Sequence, residues 1–188
     1  MSLRKVRDRR VMQVDLSQNF FQLFALPQEF PVDEKRLVSR FQELQKQLHP
    51  DRFAAASSAE RRWSMQAASV VNEAYQTLSR ELPRAIYLLT LQGVSVDEET
   101  DTQMAPAFLM EQMEYREALE AAENSADPVA ALERLRQQLK SGVVAQREAF
   151  TRAADESNWN EARTVVRQWQ FLDKLSREVR RLDERLDT

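Results

Sequence analysis

The chain has 188 residues, 43% of them apolar and 30% charged, with a net charge of -3; that length suits one full domain plus a smaller one. Its longest uncharged stretches, 16–28 and 85–96, fall short of the roughly 18 apolar residues a membrane-spanning helix requires. Two glycines cannot make a Gly-rich phosphate loop, the absence of cysteine removes disulfides and thiolate metal sites, and the charge gives no general attraction to nucleic acid.

In chain order, residues 1–16 begin with a basic run, Arg4, Lys5, Arg7, Arg9 and Arg10. The run lacks the apolar core of a secretory signal and the amphipathic, serine-rich pattern of a transit peptide. A disordered or tag-like tail is expected, with Met12 as an alternative first residue. A short helix follows over 17–24, where Phe20, Phe21 and Phe24 supply anchors and Pro27 ends it.

The stretch 33–48 carries Leu37, Phe41, Leu44 and Leu48 at the three- and four-residue spacing of one helical face, with Lys35, Ser39, Gln42 and Lys46 opposite. Pro50 has no amide hydrogen and pushes His49 out of the helical region, so this helix should stop at about Leu48. Ser57 or Ser58 can cap a second helix whose apolar stripe runs through Trp63, Ala67, Val70, Val71, Ala74 and Leu78. Two facing stripes joined by His49-Pro50-Asp51, which contains the only histidine, predict an antiparallel helical hairpin. The segment from about residue 19 to 91 resembles a J domain, with Phe41, Leu44, His49-Pro50-Asp51 and Val71-Asn72-Glu73-Ala74-Tyr75-Gln76-Thr77-Leu78 in the expected places. The plainer alternative is a structural turn in which Pro50 sets the geometry and Asp51 bonds its own backbone.

A leucine-rich helix over 81–91 tolerates Pro83 in its first turn. Residues 92–104 lose periodicity and read as a linker. Helical patterning then resumes, from about Pro106 to Glu123, from the Asp127-Pro128 start to about Ala154, and from Asn158 to about Leu186. The expected architecture is all-α: a J domain over 17–91, a linker, and an antiparallel three-helix bundle over 105–188. Leu132, Leu135, Leu139, Val165, Trp169, Leu172 and Leu175 are its expected core.

A second resemblance covers nearly all of the chain after about Phe20. Leu82-Pro83-Arg84-Ala85-Ile86-Tyr87-Leu88-Leu89-Thr90-Leu91-Gln92-Gly93, Phe108-Leu109-Met110-Glu111-Gln112-Met113-Glu114-Tyr115-Arg116-Glu117, Arg163, and Phe171-Leu172-Asp173-Lys174-Leu175 are similar to HscB, the iron–sulfur co-chaperone family. The resemblance implies no enzymatic activity of its own. It implies instead a J domain that stimulates ATP hydrolysis by a DnaK-type (HscA-like) chaperone and a C-terminal domain that binds the iron–sulfur cluster scaffold protein (IscU-like). On the chaperone side it implicates His49, Pro50, Asp51 and Arg52, with Lys35, Arg36, Arg40 and Lys46 facing an acidic surface. On the scaffold side it implicates Leu109, Met110, Met113, Glu114, Glu117 and Phe171. Ala121 stands where an acidic residue often completes that patch, and Gln42, Glu43 and Gln47 make the helix less basic than in general J domains.

On the helix near Pro106, Phe108, Tyr115 and Leu119 share one side, while Leu109, Met110, Met113, Glu114 and Glu117 gather on another. One stripe must be buried in the bundle, and the other either faces a partner or packs under the linker or the first domain. The expectation is a cytoplasmic monomer without cofactor, nucleic-acid or membrane partner. The rivals are a general J protein with another client, a helical adaptor without chaperone activity and, more remotely, an acid–base enzyme using His49.

Overall fold

The computed structural model describes residues 14–96 and 106–186. Most of the expected tail and most of the expected linker lie outside the described residues. Among the described residues the chain is all-α, as expected. It divides into two compact units, the first ending at Ser79 and the second beginning at Arg80.

In the first unit, α1 (Phe20–Leu23) is a single turn held by a reciprocal capping box between Asn19 and Gln22, shorter than the expected 17–24. Helix α2 (Glu34–Leu48) starts where Asp33 Oδ1 accepts from the Arg36 amide at 3.0 Å, which satisfies one of the orphan donors of its first turn. Helix α3 (Ser58–Leu78) begins at Ser57, whose hydroxyl and amide pair reciprocally with Glu60. These hydrogen bonds from Ser57 hold the Glu60 carboxyl below the usual carboxylate range. Leu37, Leu44 and Leu48 of α2 and Ala67, Val71, Ala74 and Leu78 of α3 are buried, together with Phe21 and Phe24 around α1. The two apolar stripes thus close on each other as their spacing predicts.

The second unit is built on a long hairpin of α6 (Pro128–Asp155) and α7 (Trp159–Leu186). Asp127 caps α6 and Pro128 occupies its first position, where a missing amide hydrogen costs nothing. Helix α5 (Pro106–Glu123) closes one end of the hairpin: Ala122 packs with Leu132, Leu135, Leu139, Leu172, Leu175, Val179 and Leu182. Gly142 permits close approach there, since a Cβ would stand 3.1 Å from Leu172 Cδ1 and 3.5 Å from the Tyr115 hydroxyl. Helix α4 (Glu81–Leu91) packs on α7, with Ala85, Leu88 and Leu89 buried. The compact-unit boundary therefore lies one helix before residue 91, because α4 has an apolar face to bury and α7 offers one.

Candidate functional site

The tip of the first unit's hairpin is the His49-Pro50-Asp51 loop, folded as a 3-10 turn over Pro50–Phe53. Three constraints set its shape. Pro50 lies at the start of the turn and His49 is extended, at φ -57 and ψ 133. The His49 carbonyl accepts from the Arg52 amide at 3.0 Å. Phe53 is buried and packs on Trp63 of α3 with ring centroids 6.3 Å apart. His49 Nδ1 accepts from the Asp51 amide at 3.3 Å, so the imidazole caps the turn as a serine or aspartate would. The Asp51 side chain is 90% exposed. Its carboxylate points outward from a loop fixed on both sides.

Along α2, Lys35, Arg36 and Lys46 are exposed. Lys46 joins His49, Pro50 and Leu48 in the lining of an open groove of about 420 Å³. Lys35 and Arg36 stand at the opposite end of the helix, roughly 20 Å from the loop at 1.5 Å per residue. Arg40 is half-buried and its guanidinium is 3.0 Å from Glu43. Arg52 is exposed beside Asp51. The groove is also lined by Gln42, Gln45, Ala68, Val71 and Asn72, whose polar members lie outside the candidate residues read from the sequence. Their signal is the four-residue spacing of Ala68 and Asn72, on the flank of the α3 stripe that turns toward α2.

In the second unit, the two stripes of α5 separate cleanly. Phe108 and Ala122 are buried, with Tyr115 and Leu119 packed against the core. Burial, helped by the negative charge of Glu111, pushes the Tyr115 hydroxyl above its usual pKa. Leu109, Met110 and Met113 are 46%, 63% and 63% exposed, and Glu114 and Glu117 are exposed with them. Phe171 on α7 is half-buried. It meets Phe108 edge-on at 5.8 Å and lies tilted 6.3 Å from Tyr115, supporting α5 from its core side. Among the described residues, no group of three or more His, Asp or Glu is placed to hold a metal ion, and no helix is long and apolar enough to cross a membrane.

A family model described as the HSCB C-terminal oligomerisation domain matches residues 104–180. Among solved structures, chaperone HscB from Vibrio cholerae is 40% identical, with a TM-score of 0.80 over 90% of this chain and 99% of that one. Human co-chaperone HscB is 30% identical, with a TM-score of 0.82 over 88% of this chain and 82% of that one. The Jac1 co-chaperone from Saccharomyces cerevisiae, at 19% identity and a TM-score of 0.66 over 87% of this chain and 97% of that one, shares the fold. With 40% identity to a solved relative over 90% of this chain and 99% of that one, the chain belongs to the HscB family of co-chaperones.

Proposed function

We propose that this protein is a co-chaperone of iron–sulfur cluster biogenesis with two docking surfaces, one on each compact unit. The loop and basic face of α2 engage a DnaK-type, HscA-like chaperone and stimulate its ATP hydrolysis. Pro50 and His49 fix the loop, Asp51 pairs with a cation of the chaperone, and Lys35, Arg36, Lys46 and Arg52 steer the encounter with an acidic surface. Arg40 contributes less, because Glu43 already neutralises it. The outer face of α5, with Leu109, Met110, Met113, Glu114 and Glu117, binds an IscU-like scaffold that carries the cluster. Phe171 holds that face in place. The cluster is cargo, held by the scaffold, and this chain acts as a monomer in the cytoplasm with the catalytic site on the chaperone. The domain division that follows is a J domain over about 17–91 in function, with α4 packed on the scaffold-binding unit.

The observation that carries this reading is Asp51: a carboxylate 90% exposed at the tip of a loop whose backbone is held by Pro50, the His49 cap and the buried Phe53. A structural turn would spend that carboxylate on its own backbone, whereas the turn here is capped by the imidazole. The test is single-turnover ATP hydrolysis by the chaperone with this protein added, with and without scaffold. Stimulation that rises with scaffold is the expected outcome. Stimulation indifferent to scaffold selects a J protein with another client, and none selects an adaptor.

A further inference from the structure

The chain has six methionines and no cysteine, so the thioether is the only sulfur it presents to an oxidant. The three methionines among the described residues are all on the surface: Met65 is 72% exposed, Met110 and Met113 63% each. None of them fills the core, which is built there from Phe, Leu, Val, Ala and Trp. That is the reverse of the usual employment of methionine as adaptable core filler. Met110 and Met113 are three residues apart on α5 and so are neighbours on one helical face.

We propose that Met110 and Met113 form a reversible oxidation site through which hydrogen peroxide weakens scaffold docking. This rests on the scaffold-binding reading above. In each event a sulfur lone pair attacks one peroxide oxygen. The O–O bond breaks, an S–O bond forms, the thioether is oxidised by two electrons to the sulfoxide, and the second oxygen leaves with both hydrogens as water. The product is polar and chiral. Burying it against a partner's apolar surface leaves an unpaired acceptor, which is costly. Because the core holds none of these three sulfurs, oxidation changes the docking face and spares the packing. Glu114 and Glu117 give that face a negative field, which favours a neutral oxidant over an anionic one.

The test treats the full chain with hydrogen peroxide, removes the excess with catalase, maps sulfoxides by mass spectrometry and measures scaffold affinity against an untreated sample. The expected result is sulfoxide at Met110 and Met113, an affinity lower by about tenfold or more, since tenfold corresponds to losing only part of the apolar burial of two thioethers, an unchanged melting curve, and recovery with methionine sulfoxide reductases. A Met110→Leu, Met113→Leu chain, whatever its own affinity, should lose the difference between treated and untreated samples, and Met65→Leu should keep it. Full affinity with both sulfoxides present overturns the proposal, as does sensitivity that survives the double substitution or a face that resists peroxide at a dose that oxidises Met65. An untreated chain that fails to bind scaffold overturns the docking reading itself, and that failure is visible in its own arm.

Discussion

His49 Nδ1 lies 3.3 Å from the amide nitrogen of Asp51 and 3.5 Å from its Oδ2. The nitrogen can serve one of these atoms at a time: unprotonated it accepts from the amide, protonated it would donate to the carboxylate. In the first state the loop is capped and the carboxylate is available. Asp51→Asn keeps the shape and the amide but removes the charge, so stimulation of the chaperone's ATPase should be lost while scaffold binding persists. Since the side chain is 90% exposed, stability should change by less than about 0.5 kcal/mol. Single-turnover hydrolysis, scaffold titration and thermal melting on the same preparation check all three.

The basic face of α2 should act mainly on encounter. Lys46→Ala and Lys35→Ala are each expected to raise the concentration of this protein needed for half-maximal stimulation by roughly two- to fivefold at low salt, the range typical of exposed charges. The difference should shrink as ionic strength approaches and passes 0.15 M, where the screening length is about 8 Å. Arg40→Ala should shift it least of the three, because its guanidinium is already engaged 3.0 Å from Glu43. Equal effects at low and high salt would remove the steering role.

The hairpin, its loop and the three C-terminal helices are legible in the sequence because each has a periodic apolar stripe and a local stop. Leu37, Phe41, Leu44 and Leu48 end against Pro50, and Asp127-Pro128 opens α6. What periodicity cannot supply is the identity of the neighbour. The stripe of α4 reads equally well against either unit, and α7 is its partner. Phe171 sits correctly on its helix but supports α5 from the core side, and Arg40 turns back to Glu43. Spacing on one helix does not encode the Phe171 contact, which joins two helices, whereas Arg40 and Glu43 are three residues apart on α2 and their pairing follows from that spacing.

Helix ends supply a further case. Helices α1, α4 and α6 all finish in the same motif, with paired bonds from the amides of Leu26, Val94 and Asn158 to the carbonyls of Phe21, Leu89 and Ala153. Each requires a residue of positive φ, and these are Ala25 (52), Gly93 (73) and Ser157 (55). Only Gly93 announces itself. Ala25→Gly and Ser157→Gly should each raise stability by roughly 0.5–1 kcal/mol, since glycine adopts this conformation without the Cβ penalty. Gly93→Ala should cost about 1 kcal/mol by backbone strain alone, because an added Cβ meets nothing within 4 Å. Urea unfolding followed by circular dichroism measures all three, and a stability gain for Gly93→Ala would refute the assignment.

The two faces of α5 predict opposite phenotypes. Joint replacement of Leu109, Met110 and Met113 by Ala removes exposed apolar surface while improving helix propensity, so melting should be unchanged and scaffold affinity should fall by about tenfold or more. Phe171→Ala removes the ring that meets Phe108 at 5.8 Å and Tyr115 at 6.3 Å, and should cost roughly 2 kcal/mol of stability for a half-buried aromatic. Any binding loss in that variant should be recovered in part in a stabilising osmolyte, which restores the seat of α5. Loss of cooperative melting in the triple variant would return Leu109, Met110 and Met113 to the core. Loss of binding in Phe171→Ala with unaltered melting would instead place its ring in direct contact with the scaffold.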